Sequence, residues 1–346
     1  LEIILEILIL GCGAIGGSVA ADFLMAGVPI SITDPWSNVI TKLQSEGLHI
    51  SFPDKEFQTP TNQALHLTDL ARLNPRFDVV FLATKAQDAK WLTEFIKPYL
   101  KQDGVMVPLM NGMMNEAIAQ IIGKERLIGS VIELSAESFE PGIIKRKTPP
   151  SKTWIAIGEF DGQITNRLKM VQHLLSNSAT VDFSDQIENA KWTKLVTNAM
   201  ILAPFAMIKA GSYDAFADQK MRQLVLQIGE EAISVGRALG YEIEKIFGLT
   251  ADDLAGNPLE ISQKLVDTLV GHIGKKSQNA TTQDVIKGRL TETRYINGLI
   301  VEQGQKRNIS VKANQAICQI IEQIESHTLE ATPCNIALAC ELAKID

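Results

Sequence analysis

The sequence predicts an α/β domain with a doubly wound parallel sheet over residues 1–186, followed by an all-helical C-terminal domain over 187–346. Three observations carry this. In the first half, short apolar runs alternate with helix-like stretches. A glycine-rich turn joins the first such run to the first helix. From about Gln186 onward, the apolar spacing changes to three and four residues. A chain of 346 residues can fill two cores.

Taken in order, Ile7–Leu10 is a continuous apolar run and reads as a strand buried on both faces. Ser18–Ala26, with small residues around Val19, Phe23 and Leu24, reads as a helix. Pro29–Thr33 supplies a second strand after Gly27. Val79–Ala83 supplies a third after a polar loop with Pro75 and Asp78, and Val105–Leu109 a fourth after Asp103-Gly104. The stretch Glu140–Gly158 carries Pro141-Gly142, Lys145-Arg146-Lys147 and Pro149-Pro150 before Trp154–Ile157, and reads as a hairpin closing the domain. Beyond it, helices are expected at 187–209, 219–239, 258–274, 282–306 and 312–325, with Gly240, Gly256 and Gly274 as stops.

Composition narrows the function. A net charge of −7, with the acidic excess in the first half, excludes a basic nucleic-acid binder. No apolar run reaches the length of a membrane span. The N-terminal run carries Glu2 and Glu6 and has no basic leader, so it reads as a strand and not a signal peptide. Cys12, Cys318, Cys334 and Cys340 form no CxxC pair, which argues against a disulfide framework or a zinc site and for a reducing, cytosolic compartment.

Gly11-Cys12-Gly13-Ala14-Ile15-Gly16 is G-x-G-x-x-G set between a strand and a helix, the context in which the motif binds a dinucleotide. Gly11 permits the tight turn, Gly13 lets the backbone approach a pyrophosphate, and Gly16 allows close helix–strand packing. The helix start adds free N–H groups and a positive dipole end. Asp34 closes the second strand, where a carboxylate accepts the ribose hydroxyls and repels a 2′-phosphate. No Lys or Arg lies between it and Lys42, so NAD(H) is favoured over NADP(H) in this Rossmann-type domain. Lys85 and Asn111 follow the third and fourth strands, where strand C-termini open toward a ligand. Cys12 reads as a small residue beside the ligand, with a thiol through which an oxidant could block the turn.

In the second half, Lys194 and Asn198 stand four apart in Lys191-Trp192-Thr193-Lys194-Leu195-Val196-Thr197-Asn198 and share a helix face. Further on comes Gln283-Asp284-Val285-Ile286-Lys287-Gly288-Arg289-Leu290-Thr291-Glu292, then Tyr295-Ile296-Asn297-Gly298. Glu292 is expected on an inward-packing helix.

These five motifs, in this order, resemble the ketopantoate reductase (2-dehydropantoate 2-reductase) family over the whole chain. The resemblance implies a Rossmann domain joined to a helical domain with the active site in the cleft between them, and NAD(P)H-dependent reduction of a 2-oxoacid without a metal. By motif, Lys194 resembles the catalytic lysine and Glu292 its acidic partner near the nicotinamide. Asn111 resembles the asparagine near the nicotinamide, Lys85 a cofactor-contacting lysine and Asn198 a substrate-binding asparagine. Ser135 falls where the family's backbone touches cofactor. A homodimer is also implied.

Asp34 departs from family members that carry a basic residue near that turn for NADPH, and two further positions depart on the substrate side. Leu202 stands where a second asparagine is usual, and Ala280 where a serine meets the substrate carboxylate. Asn279, Thr281 and Thr282 are the polar residues that could replace that serine, and these departures favour a substrate other than ketopantoate. A related hydroxyacid or opine-like dehydrogenase and a non-catalytic dinucleotide sensor are the alternatives. The sensor needs only the glycine turn and leaves Lys194, Asn111 and Glu292 unexplained.

Overall fold

The structure is a computed structural model that describes residues 5–61, 63–209, 215–246, 248–250, 252–272 and 278–345. The apolar run Ile7–Leu10 (β1) is buried along its whole length because strands flank it on both sides. Around it lie Ser31–Thr33 (β2), Leu48–Ser51 (β3), Glu56–Thr59 (β4), Ala64–Leu65 (β5), Phe77–Leu82 (β6) and Leu100–Pro108 (β7). Five of these form one sheet in the order β5-β2-β1-β6-β7, every pair parallel. That is the strand order of a Rossmann fold, and it sends all the C-terminal strand ends to one edge. The first helix, Ala14–Met25, begins four residues earlier than its apolar spacing suggests, because the glycine turn runs straight into it. Phe23 from this helix meets Phe81 of β6 edge-on at 5.5 Å.

The expected hairpin at 140–158 is not formed. Gly129–Glu133 (β8), Ala136–Glu137 (β9), Ile143–Arg146 (β10), Trp154–Gly158 (β11) and Thr180–Phe183 (β12) belong to two further sheets. One has the order β4-β3-β10-β9 and the other β12-β11-β8. β10 lies parallel to β3 and antiparallel to β9, whereas β11 lies antiparallel to β8 and parallel to β12. The reason is Arg146, which is 1% exposed. Its guanidinium pairs with Asp22 of the first helix and donates to the Thr148 and Ser178 carbonyls and to Thr153 Oγ1. A buried cation satisfied from four sides pins this stretch between the sheets, where a tight turn could not place it.

Two compact units result, Leu1–Ile187 and Glu188–Asp346. The second is built of the helices Ile187–Ala206, Gln219–Ala238, Pro258–His272, Ala280–Ile286, Asn297–Gln305, Lys312–Glu325 and Asn335–Ala343. Gln219–Ala238 is central and packs on Ile187–Ala206, Pro258–His272, Asn297–Gln305, Lys312–Glu325 and Asn335–Ala343. The single helix expected at 282–306 is broken: Gly288 takes φ +62°, and a 3₁₀ turn, Thr293–Tyr295, precedes Asn297–Gln305. The stop expected at Gly274 lies outside the described residues. Among the described residues, no helix is long and apolar enough to cross a membrane.

Candidate active site

The glycine turn sits at the C-terminal end of β1, and each glycine answers a different constraint. Gly11 has φ +99°, and a Cβ there would lie 2.7 Å from Thr84 Cγ2 and 2.8 Å from the Ala83 carbonyl oxygen. A Cβ on Gly16 would fall 1.9 Å from the Gly11 carbonyl oxygen. On Gly13 it would meet nothing within 4 Å. Gly11 and Gly16 are thus fixed by their neighbours, whereas Gly13 borders open space through which a phosphate can reach the backbone. Gly13 also caps the helix without a side-chain hydrogen bond, and the first turn, opening with Ala14 and Ile15, carries no acidic residue. The residues present fit a dinucleotide pyrophosphate at a helix start.

Asp34 stands beside this turn and is 8% exposed. Its Oδ2 accepts the Cys12 N–H at 2.7 Å and its Oδ1 the Trp36 N–H at 2.8 Å. It therefore holds the turn against the end of β2, and a carboxylate still has lone pairs for hydroxyl donors. Burial, and then the Asp34 charge, push the Cys12 thiol far up, so it stays protonated and serves as a small filler. Lys85 is the N-cap of the helix Ala86–Ile96 after β6, and Asn111 lies in the bend after β7. Both are half-buried, on the same sheet edge as the glycine turn. Ser135 lies in the β8–β9 link. Its N–H donates to Thr148 Oγ1 and its carbonyl accepts from Lys147, so its backbone already serves the local fold.

In the helical unit, Trp192 sets the rotation of Ile187–Ala206. Its ring stacks on Tyr241 at 5.0 Å, its Nε1 donates to the Ala232 carbonyl at 3.3 Å, and only a glycine at 236 leaves it room. Glu188, Lys191, Lys194 and Asn198 then form one polar stripe, which Leu202 continues with hydrocarbon. Lys194 is half-buried, while Lys191 and Asn198 are each 4% exposed. Glu292, 2% exposed, lies at the N-cap of the 3₁₀ turn and not within a helix as expected. Its charge reaches Lys191. Burial brings that ammonium down to about 8, against the opposing pull of Glu188 and then Glu292. Sequence reasoning assigned Lys191 no role, although its three-residue spacing from Lys194 was the available signal.

Asn279, expected to meet the substrate, makes structural contacts. Its Nδ2 donates to the Ile201 and Leu202 carbonyls at 3.0 and 3.2 Å, and its Oδ1 accepts the Thr282 N–H at 2.8 Å. Both carbonyls lie just before Pro204 of the same helix. Thr281 and Thr282 are buried as well.

A parallel sheet of this order with an open glycine turn defines a dinucleotide-binding α/β protein, here joined to a helical unit that buries Lys191, Asn198 and Glu292. Residues 7–162 match the family model "Ketopantoate reductase PanE/ApbA" and residues 186–325 its C-terminal model. The chain belongs to the ketopantoate reductase family and is an NAD(P)-dependent oxidoreductase acting on a CH–OH group, the family's reaction being reduction of a 2-oxoacid. The non-catalytic sensor falls away. Similar proteins include the 2-dehydropantoate 2-reductase of Nostoc sp., 26% identical over 78% of this chain and 88% of that one. The enzyme of the same name from Archaeoglobus fulgidus is 22% identical over 92% and 97%. Among solved structures, D-mandelate dehydrogenase with NADH and anilino(oxo)acetate has a TM-score of 0.81 at 20% identity, covering 93% of this chain and 99% of that one. The ketopantoate reductase from Ralstonia eutropha has 0.78 at 19%, over 93% and 99%.

Proposed function

We propose that the protein uses NADH to reduce a 2-oxoacid with an apolar side chain, in preference to ketopantoate, and that Lys194 donates the proton. The dinucleotide, when bound, supplies the hydride for the 2-oxo carbon. As charge gathers on the carbonyl oxygen, the Lys194 ammonium stabilises it and transfers a proton to it. Glu292 orients that ammonium. Asn198 binds the substrate, Asn111 orients the nicotinamide, and Lys85 meets a cofactor phosphate.

The observation that carries this reading is the polar stripe itself, Lys191, Lys194 and Asn198 on one helix face, with the buried Glu292 supplying a charge that bears on Lys191. Leu202 and Ala280 support an apolar substrate, since a site without polar partners favours a ligand that needs none. Asp34 supports NADH: it stands beside the turn, and no Lys or Arg occurs between it and Lys42. D-mandelate dehydrogenase, similar in fold and solved with NADH and anilino(oxo)acetate, points the same way. A homodimer belongs to the same proposal. The dimeric ketopantoate reductase of Staphylococcus aureus shares the fold at a TM-score of 0.69, and sedimentation velocity tests the point.

The test of function is steady-state oxidation of NADH and NADPH against a panel of aliphatic and aromatic 2-oxoacids that includes ketopantoate. Higher kcat/KM with NADH and with apolar substrates is expected. If ketopantoate is the best substrate, the reading of Leu202 and Ala280 is wrong; if no 2-oxoacid is turned over, the proposed reaction is wrong.

A further inference from the structure

We propose that Asn297, through Asn314 and Glu231, is a positioning residue that sets the register between the segment bearing Glu292 and the helix bearing Lys194 and Asn198. This rests on the reading of Lys194 as proton donor.

Asn297 belongs to the Tyr295-Ile296-Asn297-Gly298 motif, which the proposed chemistry leaves without a task. It is 0% exposed. Its Nδ2 donates to the Ala199 carbonyl at 3.1 Å and to Asn314 Oδ1 at 3.0 Å. Ala199 follows Asn198 directly and lies five residues beyond Lys194, while Asn297 lies five residues beyond Glu292. One amide group thus joins the two segments whose side chains have to meet.

The direction of that amide is set from behind. Glu231, on the central helix Gln219–Ala238, caps the start of Lys312–Glu325: Oε1 accepts the Ala313 N–H and Oε2 the Asn314 N–H, both at 3.0 Å. Asn314 Nδ2 also donates to Glu231 Oε2, at 2.8 Å, and to the Ile228 carbonyl at 3.2 Å. With its NH₂ committed to a carboxylate, Asn314 can present only its carbonyl oxygen to Asn297. Asn297 must answer with its own NH₂, the group that also holds Ala199. The polarity of the whole chain is therefore fixed by one buried acid.

Among the described residues, Asn297 Oδ1 is buried with no hydrogen-bond partner. An apolar residue of similar shape would avoid that penalty only by leaving Asn314 Oδ1 without its donor, so what the asparagine supplies at this depth is the link between the two segments. A side chain that holds a helix in one register at a local cost is what a reaction geometry requires.

The test compares Asn297→Ala and Asn314→Ala with Asn335→Ala in the full chain. Asn335 is also buried and donates to the Met207 carbonyl at 2.8 Å, just past the end of the Lys194 helix, so it serves as the structural control. The first two variants are expected to lose about 10- to 100-fold in kcat, counted per NADH-binding molecule, with KM for NADH unchanged. Asn335→Ala is expected to lower Tm without changing kcat. Parental kcat in Asn297→Ala, or in Asn314→Ala where the former does not fold, overturns the proposal. So does an equal kcat loss in Asn335→Ala. Lys194→Ala run alongside separates the failures: if it stays active, the proton-donor reading is at fault and not the register.

Discussion

The glycine turn at 11–16 and the Lys194–Glu292 region solve opposite problems. The turn works through what is missing. Gly13 leaves open volume, Gly11 and Gly16 let the turn close on itself, and one side chain, Asp34, stands behind them. The Lys194–Glu292 region works through what has been buried. Lys191, Asn198, Glu292, Asn297, Asn314 and Glu231 are each less than 5% exposed, and polar groups at that depth need partners. The first region should tolerate changes of pH and of nearby charge but not an added methyl. The second should tolerate modest volume changes but not the loss of one polar atom.

The sharpest way to break the contrast is Gly16→Ala. A Cβ 1.9 Å from a backbone oxygen cannot be relieved by a rotamer, so NADH binding should fall beyond detection by fluorescence titration, with unit 1 destabilised by about 3 kcal/mol or more. Gly13→Ala is the counterpart: its methyl enters open space, so Tm should stay within about 2 °C, whereas Kd for NADH should rise about tenfold or more as the phosphate approach is blocked. Equal loss of stability in both would show that the turn is filled by protein and not by ligand. In the other region, Lys194→Ala should lower kcat by about 10²–10⁴-fold with Kd for NADH unchanged, a split read by stopped-flow and titration.

How much of this was legible depended on how far apart the cooperating atoms lie in sequence. The glycine turn is six consecutive residues, and the roles of Gly11, Gly13 and Gly16 follow from volume alone. The sharing of one helix face by Lys194 and Asn198 follows from a spacing of four. The setting of Glu292 did not follow. Gly288 reads as a tolerated helix glycine until its φ of +62° is known, and Thr291, whose N–H donates to Glu325 Oε1 at 2.7 Å, stabilises the break from 34 residues away. The parallel pairing of β10 with β3 has no local signal either, since their residues lie more than 90 positions apart. Asn279 was visible as a polar residue before a helix. That its amide serves carbonyls beside Pro204 was not, because sequence gives no measure of their proximity.

Asp34 is the exception within the first region, a side chain in a site made of backbone. Asp34→Asn removes the charge that repels a 2′-phosphate and should raise the NADPH-to-NADH ratio of kcat/KM about tenfold. The same change sets an amide NH₂ against one of the two N–H groups of Cys12 and Trp36, so a stability loss of about 1–2 kcal/mol should accompany it. An unchanged cofactor ratio with that loss of stability would assign Asp34 to the turn alone.

The smallest effect concerns Lys191 and tests whether buried charge, as opposed to backbone, governs the second region. Folding lowers its ammonium from 10.5 to about 8, chiefly by desolvation. Between those values the unfolded chain holds more protons than the folded one, so this residue's contribution makes stability rise with pH from about 8 toward 10.5. Below 8 both states carry the charge, and the folded state bears its full desolvation cost. Lys191→Met, which cannot titrate, should lack that rise. The difference in unfolding free energy between parent and variant should therefore move in the parent's favour across this window, by at most about 3 kcal/mol. Over the same range Kd for NADH should stay flat, because the amides that hold its phosphates do not titrate. Parallel stability curves for parent and variant would mean that Lys191 is hydrated rather than buried, and the contrast between the two regions would then rest on Glu292 and Glu231 alone.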